Sequence, residues 1–224
     1  MIARLILQTF VWFGVMGAVL FLSAGTLNWP GAWVYLVAMI GLSLTMGVSL
    51  ARRDPGLMNE RLRPPIQKDQ TAADKVLLSI LLIAIFTWLG LMGLDFRHGW
   101  SAVPFWGLAL GGLVLLVGIW ICYLTMLENS FAAPVVKIQG ERGQHVITTG
   151  PYSYVRHPMY AGAIPYFAGT ALLLGSWWGL ASVLFFIVLL AVRIFIEERT
   201  LRTGLQGYDD YAANVRYRLI PLVW

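Results

Sequence analysis

Four long stretches of the chain contain no Asp, Glu, Lys, Arg or His: residues 5–51, 76–94, 101–127 and 158–192. A transmembrane helix needs roughly 20 apolar residues in a row, so each stretch is long enough to cross a bilayer. The first and the last are too long for one crossing, and each has turn-forming residues near its middle, at 28–31 and 175–179. The pattern therefore predicts six helices, over approximately 4–26, 31–51, 74–94, 103–127, 158–174 and 179–201.

This pattern indicates an all-α polytopic membrane protein whose last two helices form a hairpin. Nothing in the sequence separates a second folding unit, so we expect a single domain over 1–224. Its N-terminal helices occupy 1–127, and the polar segments that follow within 128–221 are candidates for the working part. The residues after Gly204, as far as Leu219, predict a short amphipathic helix on the membrane surface.

The Lys and Arg residues are distributed unevenly among the connections. With six helices, all the basic connections and both termini fall on one side, and only Arg97 falls on the other. Basic connections stay in the cytoplasm, so we expect both termini there, in an inner membrane or a membrane of the ER type. The same rule accounts for the basic segment 52–75, which also has the composition of an interfacial segment on the headgroups.

Composition narrows the function classes. Hydrophobic residues make up 58% of the chain and charged residues 12%, unlike the usage of a soluble domain. The net charge of +5 comes from residues that flank apolar spans, where anionic headgroups attract them, so it does not indicate nucleic-acid binding. Cys122 is the only cysteine, which excludes an internal disulfide and a cysteine-rich metal site. We expect membrane lipids as partners, with no nucleic acid and no metal.

Chemistry-bearing residues are concentrated just before the predicted helix at 158. The sequence Gly150-Pro151-Tyr152-Ser153-Tyr154-Val155-Arg156-His157-Pro158 places a turn, aromatic rings, an Arg and a His there, and proline suits a first helical turn. Backbone donors and the dipole at such a helix start favour an anionic group. The alternative is that Arg156 and His157 are interfacial anchors without a ligand.

The second concentration lies near the end of the last apolar helix. Arg193 and Glu197 are four residues apart on one helical face, and Glu198 is adjacent. Ionisable residues at such a depth usually mark a functional site, although an ion pair between Arg193 and Glu197 would satisfy both groups without any ligand.

Together these elements resemble the isoprenylcysteine carboxyl methyltransferase and phospholipid methyltransferase group of membrane enzymes, over roughly 128–221. The resemblance rests on several ordered motifs: Gly150-Pro151-Tyr152, Arg156-His157-Pro158-x-Tyr160-x-Gly162, Arg193-x-x-x-Glu197-Glu198-x-x-Leu201, Tyr208-x-x-Tyr211 and Val215-x-x-Arg218-x-Ile220-Pro221. It implies a pocket for S-adenosylmethionine at the cytoplasmic boundary of the membrane, without a Rossmann fold.

Carried onto this sequence, the resemblance implies two sets of site residues. The first would bind the cofactor: Thr149, Gly150, Tyr152, Arg156, His157, Pro158, Tyr160, Glu197 and Glu198. The second would be catalytic, with Arg193 orienting an acidic group of the acceptor and Glu197 serving as a base where the acceptor must lose a proton.

The resemblance implies a methyl acceptor that is lipophilic, with the carboxylate of a prenylcysteine-like amphiphile as the first choice. A phospholipid amine and a small thiol remain alternative acceptors. A membrane reductase that uses NADPH is an alternative enzyme class, for which more basic residues near Glu197 would be expected. A small transporter or structural membrane protein is the non-enzymatic alternative, and buried charges in several spans would favour it.

Overall fold

A computed structural model describes residues 1–68 and 70–224, and the regular elements of this part of the chain are helical. The nine α-helices are α1 (Ile2–Ala24), α2 (Pro30–Arg53), α3 (Pro55–Arg61), α4 (Ala72–His98), α5 (Phe105–Glu128), α6 (Pro158–Leu173), α7 (Trp177–Ala181), α8 (Val183–Gly204) and α9 (Tyr208–Asn214). The predicted all-α fold is therefore confirmed.

Within the described residues, five helical segments are long and apolar enough to cross a membrane. They are α1, α2, α4, α5 and the continuous segment Trp177–Gly204, which combines α7 and α8. The remaining predicted span corresponds to α6, whose 16 residues extend for about 24 Å at 1.5 Å per residue, less than a typical hydrocarbon core. The polytopic character is thus clear, and the count of six crossings stays a prediction.

The predicted hairpin turns coincide with real helix ends. Helix α1 ends at Gly25, whose φ of 69° lies in the left-handed region that glycine adopts without penalty, and α2 begins with Pro30. Between α6 and α7, Ser176 caps α7 by accepting a hydrogen bond from the amide of Gly179 at 2.8 Å. Both turns separate antiparallel apolar helices, as the hydrophobic pattern predicts.

Aromatic rings fill the centre of the bundle. Trp88 of α4 lies edge-on against Phe167 of α6 and Phe186 of α8, whose own rings stack at 4.4 Å. The indole Nε1 of Trp88 donates to the carbonyl of Gly179 at 2.8 Å. An indole at this depth needs a partner for its N–H, so this bond fixes α4 against the hairpin.

Helices α5 and α6 approach each other closely enough for backbone contact. A Cβ added to Gly111 would lie 2.4 Å from the amide nitrogen of Leu173, and one added to Gly118 would lie 2.5 Å from that of Tyr166. Small residues that let backbones meet are the usual means of packing helices in lipid, where no hydrophobic force drives association. The contact with α5 therefore fixes the position of α6, the helix that follows the Arg156-His157 turn.

The polar segments fold together at one end of the bundle. Helix α3 packs its Leu57 against Leu5 and Leu50, near the start of α1 and the end of α2. Arg4 donates to the carbonyl of Leu62, which ties the N-terminus to the same end. The predicted amphipathic segment forms helix α9, which ends at Asn214 and is shorter than predicted. The residues after it do not continue the helix, because the carbonyls of Tyr217 and Arg218 accept hydrogen bonds from the amides of Arg156 and His157.

Candidate functional site

A cavity of about 550 Å³ lies at the polar end of the bundle. Its walls come from α1, α3, α4, α6, α8, α9 and the connection between α5 and α6. Trp12, Leu78, Leu81, Leu82 and Ile85 form an apolar side on α1 and α4, and the polar residues gather toward α6, α8 and α9. A volume of this size is typical of small-molecule sites, and the division between apolar and polar walls suits an amphiphilic content.

The turn before α6 is fixed by hydrogen bonds to the C-terminal segment 215–218. The guanidinium of Arg156 donates to the carbonyls of Val215 and Arg216 at 2.8 and 2.9 Å. The amides of Arg156 and His157 are also occupied, by the carbonyls of residues 217 and 218. The predicted backbone donors of these two residues are therefore not free for an anion, and both side chains reach the cavity wall from a fixed turn.

Glu198 holds this turn in place from a buried position. Its carboxylate lies 2.8 Å from Nε of Arg156, 3.2 Å from Nε2 of His157 and 3.1 Å from Nη2 of Arg218. Only 5% of its side chain is exposed. Two Arg side chains satisfy one buried carboxylate, and breaking such an arrangement leaves uncompensated charge. Glu198 thus joins α8 to the turn and to the C-terminal segment.

Glu197 has a different environment. Its carboxylate lines the cavity, accepts a hydrogen bond from the hydroxyl of Tyr160 at 2.6 Å and lies 3.8 Å from Nδ1 of His157. Its side chain is 29% exposed. Among the described residues no Lys or Arg pairs with Glu197, so its negative charge is available to a cationic ligand.

Aromatic hydroxyls cover the polar end of the cavity. Asn129 donates to the hydroxyl of Tyr152 at 2.8 Å, and Tyr211 donates to the backbone carbonyl of Tyr152 at 2.8 Å. Burial raises the pKa of Tyr152, Tyr208 and Tyr211, so all three phenols stay neutral. The hydroxyl of Tyr208 is buried and has no hydrogen-bond partner among the described residues. A buried polar group without a partner calls for an explanation, and a ligand in the cavity that Tyr208 lines would supply one.

Arg193 lines the cavity but does not pair with Glu197, the alternative that helical spacing left open. Its Nε lies 3.1 Å from Oδ1 of Asp74, and its Nη2 donates to the carbonyl of Pro134. The other oxygen of Asp74 accepts from the amide of Val136 at 2.8 Å. The pair therefore joins α8, α4 and the connection between α5 and α6, and the Arg193 guanidinium stacks 5.7 Å above the ring of Tyr160.

The structure brings together most of the residues predicted for the site. Tyr152, Arg156, His157, Pro158, Tyr160, Arg193 and Glu197 all line the cavity. Thr149, Gly150 and Glu198 do not lie on its wall. Thr149 instead donates to the carboxylate of Glu128, and Gly150, at a φ of 57°, has no space for a Cβ beside that carboxylate.

Several residues of the cavity were not predicted as site residues. Arg61, Asn129 and Lys137 come from parts of the chain without a recognised motif, and Tyr208 and Tyr211 were noted only as parts of a motif. Asp74, which holds Arg193 without lining the cavity itself, also lies outside any recognised motif. The tyrosine spacing was a usable signal, since residues 208 and 211 are one helical turn apart on the segment predicted to be an amphipathic helix. Among residues 1–68 and 70–224, no group of three metal-ligating side chains is found.

Residues 106–206 match the family model of the phospholipid methyltransferases. The match confirms the resemblance to this family of integral membrane methyltransferases, which is related to the isoprenylcysteine carboxyl methyltransferases. Members of the family generally use S-adenosylmethionine. No curated protein matches the chain significantly. The matched segment contains α6, Arg193, Glu197 and Glu198, and it leaves out α1 to α4 with Arg61 and Asp74.

Proposed function

We propose that this membrane methyltransferase uses S-adenosylmethionine and transfers methyl to a lipophilic acceptor, in the first place the carboxylate of a prenylcysteine-like amphiphile. The single observation that carries the proposal is the position of Glu197. It is a carboxylate without a Lys or Arg partner among the described residues, and it lies on the wall of a cavity whose other side is apolar. A cationic cofactor needs the carboxylate, and a lipophilic acceptor needs the apolar side of the cavity.

The residues present fit S-adenosylmethionine. A sulfonium cation and an amino group need a carboxylate nearby, which Glu197 supplies. Arg156 and His157, which the family resemblance assigns to the cofactor, lie on the same wall in positions that Glu198 fixes. The buried hydroxyl of Tyr208 has no partner among the described residues and can donate to a ligand. The cavity of about 550 Å³ has room for a small-molecule cofactor and part of an acceptor.

When bound, the cofactor supplies an electrophilic methyl group, whose bond to sulfur breaks as its bond to the acceptor oxygen forms, leaving a neutral thioether and a methyl ester. The protein's contribution is to hold the two reactants in line. Glu198, Arg156 and Arg218 make the cofactor wall rigid by pairing among themselves. A carboxylate acceptor needs no base, whereas an amine or thiol would require one, and Glu197 is the carboxylate on the wall that could serve.

Arg193 is proposed to orient the acceptor. Its guanidinium is held by Asp74 and the carbonyl of Pro134, and it faces the cavity between the polar wall and the apolar residues of α4. Such a fixed position suits a directional contact to an acidic group. A phospholipid amine and a small thiol remain the alternative acceptors.

The orientation in the membrane belongs to the same proposal. The cavity lies at the end where most Lys and Arg residues are found, and basic connections stay on the cytoplasmic side. We therefore place both termini and the site in the cytoplasm, at an inner membrane or a membrane of the ER type.

A methyl-transfer assay tests the proposal. Purified protein in detergent is incubated with S-adenosylmethionine labelled in its methyl group and with N-acetyl-S-farnesylcysteine, phosphatidylethanolamine or a small alkyl thiol. We expect transfer to the first acceptor by the wild type and by Cys122→Ala, whose thiol donates a hydrogen bond to the carbonyl of Met159, and little transfer by His157→Ala. Transfer to another acceptor alone would reassign the substrate, and equal transfer by His157→Ala would overturn the placement of the site.

A further inference from the structure

Arg61 is a cavity residue that lies outside the family-matched segment. It is the last residue of α3, its side chain is partly buried, and it lines the cavity. Its Nη1 donates to the carbonyl of Ala132 at 2.9 Å. This bond fixes the guanidinium against the same connection that receives the hydrogen bond from Arg193 at Pro134.

Within residues 1–68 and 70–224, no carboxylate pairs with the guanidinium of Arg61. Of the other Lys and Arg side chains on the cavity wall, Arg156 pairs with Glu198, Arg193 with Asp74 and Lys137 with Glu60. Arg61 has no carboxylate within ion-pair distance among the described residues. A guanidinium loses hydration when it is buried and normally recovers that loss from a carboxylate or phosphate.

The electrostatic surroundings of Arg61 are consistent with a buried positive charge that lacks a carboxylate partner among the described residues. Burial lowers the pKa of Arg61, and the positive charge of Arg193 lowers it further, although a guanidinium remains charged in proteins. The buried phenol of Tyr152 interacts with the charges of both Glu197 and Arg61. Among the described residues, the cavity wall therefore carries the carboxylate of Glu197 without a Lys or Arg in ion-pair distance and the guanidinium of Arg61 without a carboxylate in ion-pair distance. Tyr152 interacts with both.

We propose that Arg61 binds the anionic group of the methyl acceptor and thereby selects amphiphiles that carry a carboxylate or a phosphate. This inference rests on the proposed function, in which Glu197 receives the cationic cofactor. Glu197 and Arg61 then receive ligand groups of opposite sign, and the apolar wall formed by Leu78, Leu81, Leu82 and Trp12 receives the acceptor's tail. Neutral thiols leave the charge of Arg61 unsatisfied, so they are poor acceptors.

The two anionic groups have different consequences for turnover. If the bound carboxylate is itself methylated, an acceptor oxygen gains the methyl group and the ester has no negative charge. The product then loses its ion pair with Arg61, which favours release into lipid. If the acceptor is a phospholipid amine, the phosphate keeps its charge after methylation, and the product remains attracted to Arg61.

The test compares Arg61→Gln with Arg63→Gln. Gln retains a donor for the Ala132 carbonyl without the charge. Arg63 is a matched control because it lies two residues away, pairs with Glu60 and is 49% exposed outside the cavity wall. For each protein the S-adenosylmethionine affinity is measured by calorimetry, and KM and kcat are measured with N-acetyl-S-farnesylcysteine and with phosphatidylethanolamine. Inhibition is then measured with neutral and anionic analogues of each acceptor. The neutral analogues are the carboxamide of N-acetyl-S-farnesylcysteine and a phosphotriester analogue of phosphatidylethanolamine. The anionic analogue of each acceptor is one that cannot be methylated.

We expect Arg61→Gln to bind S-adenosylmethionine within about twofold of wild type and to show an acceptor KM about tenfold higher or more, because hydrogen bonds between charged groups are stronger than those between neutral groups. The decisive readout is the preference of the wild type for the anionic over the neutral analogue, which Arg61→Gln should reduce about tenfold or more even with Arg193 in place. Arg61→Lys should keep part of it, and Arg63→Gln all of it. A merely structural Arg61 would not change this preference.

The outcomes separate the inference from the function beneath it. An unchanged analogue preference in Arg61→Gln overturns the inference while the methyltransferase stands. A large loss of S-adenosylmethionine affinity in that variant overturns it as well, and assigns Arg61 to the cofactor's carboxylate. A wild-type protein that binds no S-adenosylmethionine overturns the proposed function, and the inference with it.

Discussion

Glu197 and Glu198 are adjacent on α8, yet the carboxylate of Glu197 lies on the cavity wall and that of Glu198 lies behind it, between Arg156 and Arg218. Successive residues of an α-helix point about 100° apart, so one helix can present a ligand-binding carboxylate and a structural one side by side. Glu197 is thus placed to bind a ligand, and Glu198 stabilises the wall behind it.

This division predicts opposite effects of two matched substitutions. Glu197→Gln should weaken S-adenosylmethionine binding about tenfold with little change in thermal stability, because it removes the charge offered to the cofactor. Glu198→Gln should lower the free energy of unfolding by about 3 kcal/mol, because it leaves two Arg side chains without their buried carboxylate. Calorimetry and thermal unfolding in detergent measure both. A stable Glu198→Gln protein that has lost only cofactor affinity would show that Glu198 contacts the cofactor.

The hydroxyl of Tyr208 should matter for binding and not for stability. It is buried and has no partner among the described residues, so Tyr208→Phe removes an unsatisfied group from the free protein. We expect S-adenosylmethionine affinity to fall about fivefold or more, with an unchanged or higher melting temperature. Tyr211→Phe is the control, because its hydroxyl donates to the Tyr152 carbonyl, and its loss should lower the melting temperature. The reverse ranking of the two variants would remove Tyr208 from the binding site.

Arg193 and Asp74 should behave as a unit. We expect Arg193→Ala to lower turnover more than cofactor affinity, because its proposed role concerns the acceptor. Asp74→Asn should do the same, since Asp74 holds the guanidinium in place. The double variant should be no worse than the poorer single variant, as is usual for residues in one network. Additive losses in kcat would mean that the two residues act independently, and a loss confined to S-adenosylmethionine affinity would move Arg193 into the cofactor pocket.

The contact between α5 and α6 offers a test of the fold. A Cβ at Gly111 would lie 2.4 Å from the amide nitrogen of Leu173, whereas one at Gly112 would meet only a flexible side-chain atom of the same residue at 3.9 Å. Gly111→Ala should therefore destabilise the protein by about 1–3 kcal/mol through overpacking. Gly112→Ala should be neutral or stabilising, because alanine favours helix by about 1 kcal/mol. Equal melting temperatures for the two variants would contradict the close approach.

Hydrophobic pattern alone was enough to predict the bundle. The charge-free stretches gave the helices, and turn chemistry at Pro30 and Gly175 placed the hairpins, because both signals are local. The crossing by α6 could not be decided in this way, since its 16 residues are fewer than a span usually needs.

The site was less predictable because its partners lie far apart in sequence. Spacing on one helix suggested Glu197 as the partner of Arg193, but the partner is Asp74, which is 119 positions away. Adjacent glutamates carry no sign of which one faces the cavity, so Glu198 was predicted to touch the cofactor. Arg61 lies in a segment whose basic residues also serve topology, and only the folded structure shows that its charge faces the cavity with no carboxylate of the described residues in ion-pair distance.

The most direct test of the central claim is calorimetric titration of the detergent-purified wild type with S-adenosylmethionine, its demethylated product S-adenosylhomocysteine, and NADPH. The account predicts saturable binding of S-adenosylmethionine and S-adenosylhomocysteine and no binding of NADPH. Glu197→Gln should weaken the binding of S-adenosylmethionine. Binding of NADPH alone would contradict the methyltransferase assignment of this cavity and would support the reductase alternative.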